Sequence, residues 1–376
     1  MRTTLALLTL IALLATAACL GSGEQSTPTP TAVLLDPTAV TTHTSSPSPT
    51  PSPTPGIEPL TLDGIFPPRD LGSLGLDPSR VRTLIATGDV IPARYTDVTI
   101  RGLNDDFGYT VAATRDITSD ADITVVNLEA PLVAFCPYHD SGFTFCGRPG
   151  FIGALAVAGV DVVTLENNHI TNYGPQGVAE TQDHLDAAGL AWADREDPAI
   201  IDVDGVTFGF VAFNGVGEAI DREAMKERIS SLAEQVDVVA VSYHWGAEYV
   251  TLPATAPGVA PDDPIEIGRL AVDAGADLVI GNHPHWVQGV ELYNGGFIAY
   301  AHGNFIFDQM WSYETRVGVI GKYTFYDDEL IGVDFTPVLI ENYAQPVPLT
   351  GQERQAVLDT MREASEQMAA RAASAP

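Results

Sequence analysis

Repeatedly in this chain a short apolar run ends at once in aspartate, glutamate, asparagine or histidine, and that construction narrows the folds open to it. Asp89 follows residues 83–88, and Glu129 follows residues 123–128. Asn168 and His169 follow residues 162–167, and His244 follows residues 238–243. Asp277-Leu278-Val279-Ile280 delivers the sharpest case, Gly281-Asn282-His283-Pro284-His285. Apolar runs this short, bounded by turn residues, read as buried strands. A buried strand holds whatever follows it at one rigid point. Neutral imidazole is the commonest protein metal ligand, so strand after strand ending in such chemistry is hard to explain as packing alone.

The intervening segments complete an α/β pattern. Strands are expected at 83–87, 123–126, 161–165, 200–203, 207–213, 236–242, 277–280, 296–300, 317–325 and 330–340. Helices are expected at 108–117, 151–158, 175–188, 221–234 and 264–274. Pro175 and Pro264 sit where a first helical turn tolerates proline, and Gly159, Gly189 and Gly275 sit where helices stop. Residues 158–169 and 274–283 echo each other: a glycine stop, a buried strand, then asparagine and histidine. The last two strands follow one another without a helix and predict a hairpin at a sheet edge. Residues 351–371 predict a surface-packed helix with apolar Val357, Leu358, Met361 and Met368.

The ends of the chain read differently. Residues 1–19 carry Arg2, an apolar run from Leu5 to Leu14 and then Thr16-Ala17-Ala18-Cys19, the layout of an export signal. Cysteine directly after small residues marks Cys19 for lipidation, with ordinary cleavage nearby as the alternative. Residues 20–60 are rich in Pro, Thr and Ser and have no apolar set to bury. As an extended tether the 36 residues from Gly21 to Gly56 reach roughly 110 Å at about 3.1 Å per residue. The folded domain is expected over 78–345, followed by a helix within 350–376. Of the 3 cysteines in the chain, Cys136 and Cys146 are left to close a short loop. In an oxidising compartment a disulfide is expected; a zinc clip with His139 is the alternative. The formal charge of −31 argues against nucleic acid or an anionic membrane face as a partner. It also argues against simple electrostatic capture of a polyanion.

At the strand ends, carboxylate and imidazole donors together suit Zn, Mn or Fe. Two such ions about 3.5–4 Å apart bind a phosphoryl oxygen and a nucleophile together. Each element alone has a plainer reading. Asp89 fits a turn and Glu129 a surface carboxylate; Asn168-His169 fits a cap for the helix near Pro175, and His244 a stacked core histidine. The joint order is what carries the metal reading.

That order resembles the CapA family of capsule or poly-γ-glutamate synthesis proteins, within the calcineurin-like metallophosphoesterase superfamily. The matching stretches are Gly88-Asp89-Val90, residues 127–132, Asn167-Asn168-His169 with Gly174, residues 244–249, residues 281–285 with Gln288, and residues 303–308. The resemblance implies a four-layer α/β/β/α sandwich of metallophosphoesterase type. It also implies Asp89, Glu129, Asn168, His244, His283 and His285 as ligands of one or two divalent metal ions, Mn, Fe or Zn. His169 would act near the leaving group as acid or charge stabiliser. Arg94, Glu248 and Asn304 would touch substrate or support the ligands, with Asp308 beside them.

The chain departs from the superfamily pattern at several places. Ile91 stands where the Asp-x-His motif has histidine, and Glu129 stands where aspartate is usual; CapA relatives share both features. Glu166 and His302 replace the small residues usual before Asn-Asn-His and Gly-Asn-Phe. The implied function is an exported protein, lipid-anchored at the outer face of the membrane or secreted, acting with an anionic capsule polymer or its synthase and export subunits. A non-catalytic polymer-binding subunit and a secreted phosphodiesterase are the alternatives. The last would use Arg94, Arg101 and Arg148 to grip phosphate.

Overall fold

A computed structural model describes residues 56–374; the expected export signal with Cys19, and the expected linker up to residue 55, lie outside the described residues. The chain runs β1 (Val81–Val90), α1 (Tyr95–Gly102), α2 (Arg115–Thr118), β2 (Ile123–Leu128), α3 (Ile152–Val157), β3 (Val162–Thr164) and α4 (Gly174–Ala188). It continues as β4 (Ala191–Ala193), β5 (Ala199–Val203), β6 (Val206–Asn214), α5 (Arg222–Ala233), β7 (Val238–His244), α6 (Pro264–Asp273) and β8 (Leu278–Asn282). Then come β9 (Val290–Tyr293), β10 (Gly296–Ala299), β11 (Asn304–Ile306), β12 (Val317–Tyr326), β13 (Glu329–Glu341), β14 (Gln345–Pro348) and α7 (Gly351–Ser374).

These strands form two sheets. One has the order β14-β13-β12-β1-β2-β3-β4, with β11 also paired to β1; the other has the order β5-β6-β7-β8-β10-β9. Alternation along each strand divides the side chains between layers. Leu84 and Ala86 of β1 meet Val238 and Ala240 of β7 in the core between the sheets. Ile85, one residue out of phase, packs outward with Phe151, Leu155 and Leu185 from α3, α4 and their approach. Val239 and Val241 likewise pack outward on Met225, Ile229 and Ile267 from α5 and α6. The result is a four-layer α/β/β/α sandwich, as expected.

A recurrent aspartate sets the parallel register. Asp122, just before β2, accepts from the Thr83 backbone N–H at 2.7 Å, and Asp161, before β3, from that of Thr124 at 2.8 Å. Asp237, before β7, accepts from Thr207 N–H at 2.8 Å, and Asp277, before β8, from Val239 N–H at 2.7 Å. Each satisfies a backbone donor of the neighbouring strand that the ladder leaves unpaired.

Several expectations need correction. The helix expected at 108–117 is a 3₁₀ turn, Phe107–Val111, followed by the single-turn α2; Gly108, Thr110, Val111 and Thr114 all disfavour a helix there. Helix α1 escaped prediction because it is rich in β-branched Thr96, Val98, Thr99 and Ile100. The β12–β13 hairpin lies inside its sheet, with β14 at the edge; Pro346 and Pro348 are tolerated there because an edge strand needs fewer donors. The folded part also starts before residue 78. Ile65 and Phe66 are buried in the inter-sheet core, and Arg69 donates to the Glu58 and Pro59 carbonyls at 2.8 and 2.9 Å. Val357, Leu358 and Met361 of α7 join that same core.

Candidate metal centre

Parallel pairing brings the carboxyl ends of β1 and β2 level in one sheet, and those of β7 and β8 level in the other. Asp89 stands in register with Asn127, and His244 with Asn282. Two glycines allow the close approach. A Cβ on Gly88 would lie 2.1 Å from the Gly303 carbonyl oxygen, and one on Gly281 would lie 1.9 Å from the Tyr300 carbonyl oxygen. No side chain fits at either place. Beyond β8 the backbone turns through the left-handed region, with φ of 91° at His283 and 56° at His285. Such conformations cost a non-glycine residue about 1–3 kcal/mol and gather at functional sites.

The fold brings Asp89, Glu129, Asn168, His244, His283 and His285 to one place. One donor atom each from Asp89, Glu129 and His244 lie within 4.8 Å of one another, and so do those of Glu129, His283 and His285. Asn168 Oδ1 lies 2.9 Å from His244 Nε2. Except for Asn168, all of these side chains are buried. Neither carboxylate oxygen of Glu129 and neither ring nitrogen of His283 has a hydrogen-bond partner. Buried polar atoms are almost always paired, and a buried unpaired charge costs several kcal/mol. Orphaned oxygens facing orphaned imidazole nitrogens fit a divalent cation of the Zn, Mn or Fe type.

The electrostatics agree. Burial drives the Glu129 carboxyl well above its ordinary range, and the charge of Asp89 adds to the rise. For Asp89 burial pushes the same way, but a hydrogen bond from His285 and the nearby imidazoles outweigh it and leave the value lowered. His285 Nδ1 reaches Asp89 Oδ2 at 3.1 Å and Asn304 Oδ1 at 2.9 Å; burial opposes its protonation, yet Asp89 carries it up to about 9. Burial takes His244 down to about 4, so its 3.3 Å approach to Glu129 is a contact of a neutral ring. Burial likewise holds His283 well below its ordinary value. Without a cation His244 and His283 are neutral imidazoles aimed at the Glu129 carboxyl, the form in which imidazole ligates a metal. His285 and Glu129 each give up a proton as an ion enters.

His169 lies at the edge of the cage with its ring 4.2 Å from that of Phe145. Asn172 Oδ1 accepts from the Phe145 N–H at 2.6 Å and lies 3.0 Å from His169 Nδ1. Since that oxygen is already an acceptor, Nδ1 carries the proton and Nε2 keeps its lone pair. Burial brings His169 down to about 4. Arg94 is ion-paired with Asp308, and its guanidinium lies over Phe145 and Phe307, 5.0 Å from each centroid. Glu248 Oε1 lies 3.9 Å from His283 Nε2. Asn304 also donates to Gln309 Oε1 at 3.2 Å and to the Thr315 carbonyl at 2.8 Å, so it anchors the following loop.

Arg101 and Arg148 do not join the site. Both bind Asp97, at 2.6 and 2.7 Å, and Arg148 also reaches Asp105 at 2.8 Å. Cys136 and Cys146 form a disulfide, which takes both sulfurs out of reach of a zinc clip with His139. The sequence reading overlooked several supports. Asn127 donates to Asp89 Oδ1 at 2.9 Å, and Asn167 donates to Asn127 Oδ1 at 3.1 Å. Both lie inside the quoted motifs, so their position was a usable signal. Tyr249 also lies inside a quoted motif, whereas Asn172 carried no such signal. His302 is a core residue, 2.8 Å from the Tyr323 hydroxyl.

Comparison with known proteins places this arrangement. The family model described as "Bacterial capsule synthesis protein PGA_cap" matches residues 83–309. A capsule biosynthesis protein CapA of Bacillus anthracis is 27% identical over 296 residues, covering 71% of this chain and 69% of that protein. The PGA biosynthesis protein CapA of Bacillus subtilis (strain 168) is 29% identical over 287 residues, covering 70% and 72%. Among solved structures, a putative 5′-nucleotidase from Staphylococcus aureus aligns with TM-score 0.43 at 14% identity, covering 75% of this chain and 58% of that one.

Proposed function

Because this chain belongs to the bacterial capsule synthesis protein family PGA_cap, we propose that it serves capsule or poly-γ-glutamate synthesis or export through a metal-dependent hydrolase site. The signal-like residues 1–19, Cys19 and the linker of residues 20–60 support export and lipid tethering at the outer face of the membrane. Partners on this reading are the anionic polymer and the synthase or export subunits that make it.

Glu129 carries the hydrolase reading: a fully buried carboxylate with no hydrogen bond to either oxygen, faced by His283 and His285. Asp89, Glu129, Asn168, His244, His283 and His285 would hold the ion. A divalent ion there supplies charge that polarises an ester or amide and eases the deprotonation of water. His169, fixed by Asn172 with its proton on Nδ1, offers Nε2 as a proton acceptor rather than as a standing positive charge. Arg94, neutralised by Asp308, shapes the rim through Phe145 and Phe307.

One observation favours the second reading, a non-catalytic polymer-binding subunit. Ile91 is fully buried among Ala93, Ala130, Phe145 and Phe307, so an apolar side chain fills the place of an imidazole. Metal content decides between them. The full chain, and a His283→Ala, His285→Ala variant, would be assayed for bound Mn, Fe and Zn and for hydrolysis of phosphodiesters and γ-glutamyl peptides. Bound metal and hydrolysis that are both lost in the variant support the enzyme. A chain that binds no metal after reconstitution refutes it.

A further inference from the structure

Two cavities border the metal centre, and strand order puts them on opposite flanks. The candidate ligands stand at or just beyond the ends of β1 and β2, β7 and β8, and after β3. The first cavity, about 550 Å³, is lined by Asn168, Arg195, Asn214 and Glu218. These follow β3, β4 and β6, which lie beyond β2 and β7 in their sheets. The second, about 730 Å³, lies between Tyr249, Trp286 and Thr360 of α7, the helix packed on β9 and β13 at the other side. Both reach the centre. Asn168 lines the first and lies 2.9 Å from His244; Tyr249 lines the second, its ring 6.1 Å from that of His285.

Each cavity presents a group suited to a ligand. Glu166, the residue that departs from the family pattern, holds Arg195 through two bonds of 2.9 Å. Glu218, 62% exposed, touches the same guanidinium at 3.4 Å. Arg195 thus has one fixed partner and one that a ligand carboxylate can replace. On the other flank the Trp286 indole N–H is buried with no acceptor, an arrangement that costs about 1–3 kcal/mol until one arrives. Each volume falls in the range of roughly 300–1,000 Å³ typical of ligand sites. The formal charge of −31 repels a polyanion at long range, so any grip is local.

We propose that a linear γ-glutamyl polymer lies across both cavities with an internal amide over the metal centre, so that the protein acts within a chain rather than at its end. Arg195 takes a side carboxylate on one flank, and Trp286 donates to a main-chain carbonyl on the other. This deepens the proposed function and rests on it for the chemistry. Cutting adds one water: a C–O bond forms at the acyl carbon, the C–N bond breaks, and the proton passes to the leaving nitrogen. Two shorter chains result, one with a new carboxyl end and one with a new amino end.

The test uses the full chain and γ-glutamyl oligomers of increasing length, with binding measured in chelator and cleavage measured with Mn, Fe or Zn. Affinity should climb with length until both flanks are filled. Arg195→Ala and Trp286→Ala should each lose about tenfold for long oligomers, with unchanged melting temperature. Glu218→Gln should bind more tightly, the opposite of what a merely structural ion pair predicts. Early products should be fragments of intermediate size. Affinity independent of length, no effect of either alanine variant, or release of terminal glutamate alone would overturn the proposal. Length-dependent binding without cleavage by any metal leaves the cleft standing and sinks the hydrolase reading. Metal-dependent cleavage of a small phosphodiester without oligomer binding does the reverse.

Discussion

The sharpest consequence of the site concerns Glu129→Gln. In the cation-free protein this side chain is fully buried, lacks hydrogen bonds to both oxygens and lies beside Asp89. Replacing it with the isosteric amide leaves a group that is neutral at every pH and has an N–H that can donate to Asp89. Because burial holds its carboxyl well above the ordinary range, the folded protein keeps a proton there that the unfolded chain releases at neutral pH. The amide avoids that cost, on the order of 2 kcal/mol. With metal present the sign reverses. A cation at about 100 times its dissociation constant stabilises the native state by about 2.7 kcal/mol, and the amide forfeits most of that by removing the donor common to both ligand groups. Melting curves of wild type and variant, each in chelator and in excess Mn, should therefore cross. The variant melts a few degrees higher in chelator, and the wild type melts higher with metal. A variant that is less stable under both conditions would show that Glu129 is satisfied without a cation, and the argument from its orphaned oxygens would fail.

Other perturbations probe the frame around the site. Burial raises the Asp277 carboxyl to about 6, with Asp328 adding to the rise. Against an unfolded value of about 3.9, the native state binds more protons between those limits, so this group's contribution to stability falls as pH rises through the window. Asp277→Asn keeps the acceptor for Val239 N–H and should gain about 1–2 kcal/mol at pH 7.5 after discounting for partial exposure, with no gain below pH 4; urea titrations across pH check this. Removing the Cys136–Cys146 disulfide, a sequence separation of 10, should cost about 2–3 kcal/mol by the chain-entropy relation, read from denaturation with and without reductant. Asn172→Ala should lower hydrolysis about 10- to 100-fold by releasing His169, with metal content unchanged and partial rescue by Asn172→Asp.

Much of the frame was legible because it rests on local patterns. Strand β8 opens with apolar Leu278-Val279-Ile280 and runs into Gly281-Asn282 just before His283, so strand, end and donors can all be read from one short segment. The missed elements lack such a signature. Strands β4, β9, β11 and β14 span three or four residues, too short to show a period of two, and they pair only because longer neighbours offer them edges. Ile65 and Phe66 reach the core from a proline-rich stretch whose composition hides them. Long-range partnerships were harder still. Glu166 reads as a neutral departure until Arg195, 29 residues on, closes on it. Asn172 is an ordinary turn residue until its oxygen is seen between Phe145 N–H and His169.

The composition of the cage also bears on how many ions it holds. Asp89 and Glu129 supply the only formal negative charge among the buried candidate ligands; Asn168, His244, His283 and His285 bind as neutral groups. Two negative charges balance one divalent cation, and burial makes any excess expensive. A second cation would leave a surplus in a dry site unless a further anion joins. Ile91 removes one neutral donor from the side of Asp89, and Glu248, its side chain 39% exposed and 3.9 Å from His283, stands at the rim rather than inside. The resting protein is therefore expected to hold close to one equivalent of metal. An anionic substrate group, or inorganic phosphate standing in for it, should raise the measured content toward two, because it brings the charge the cage lacks. Two tightly held equivalents without any added anion would refute this balance and require Glu248 to swing inward.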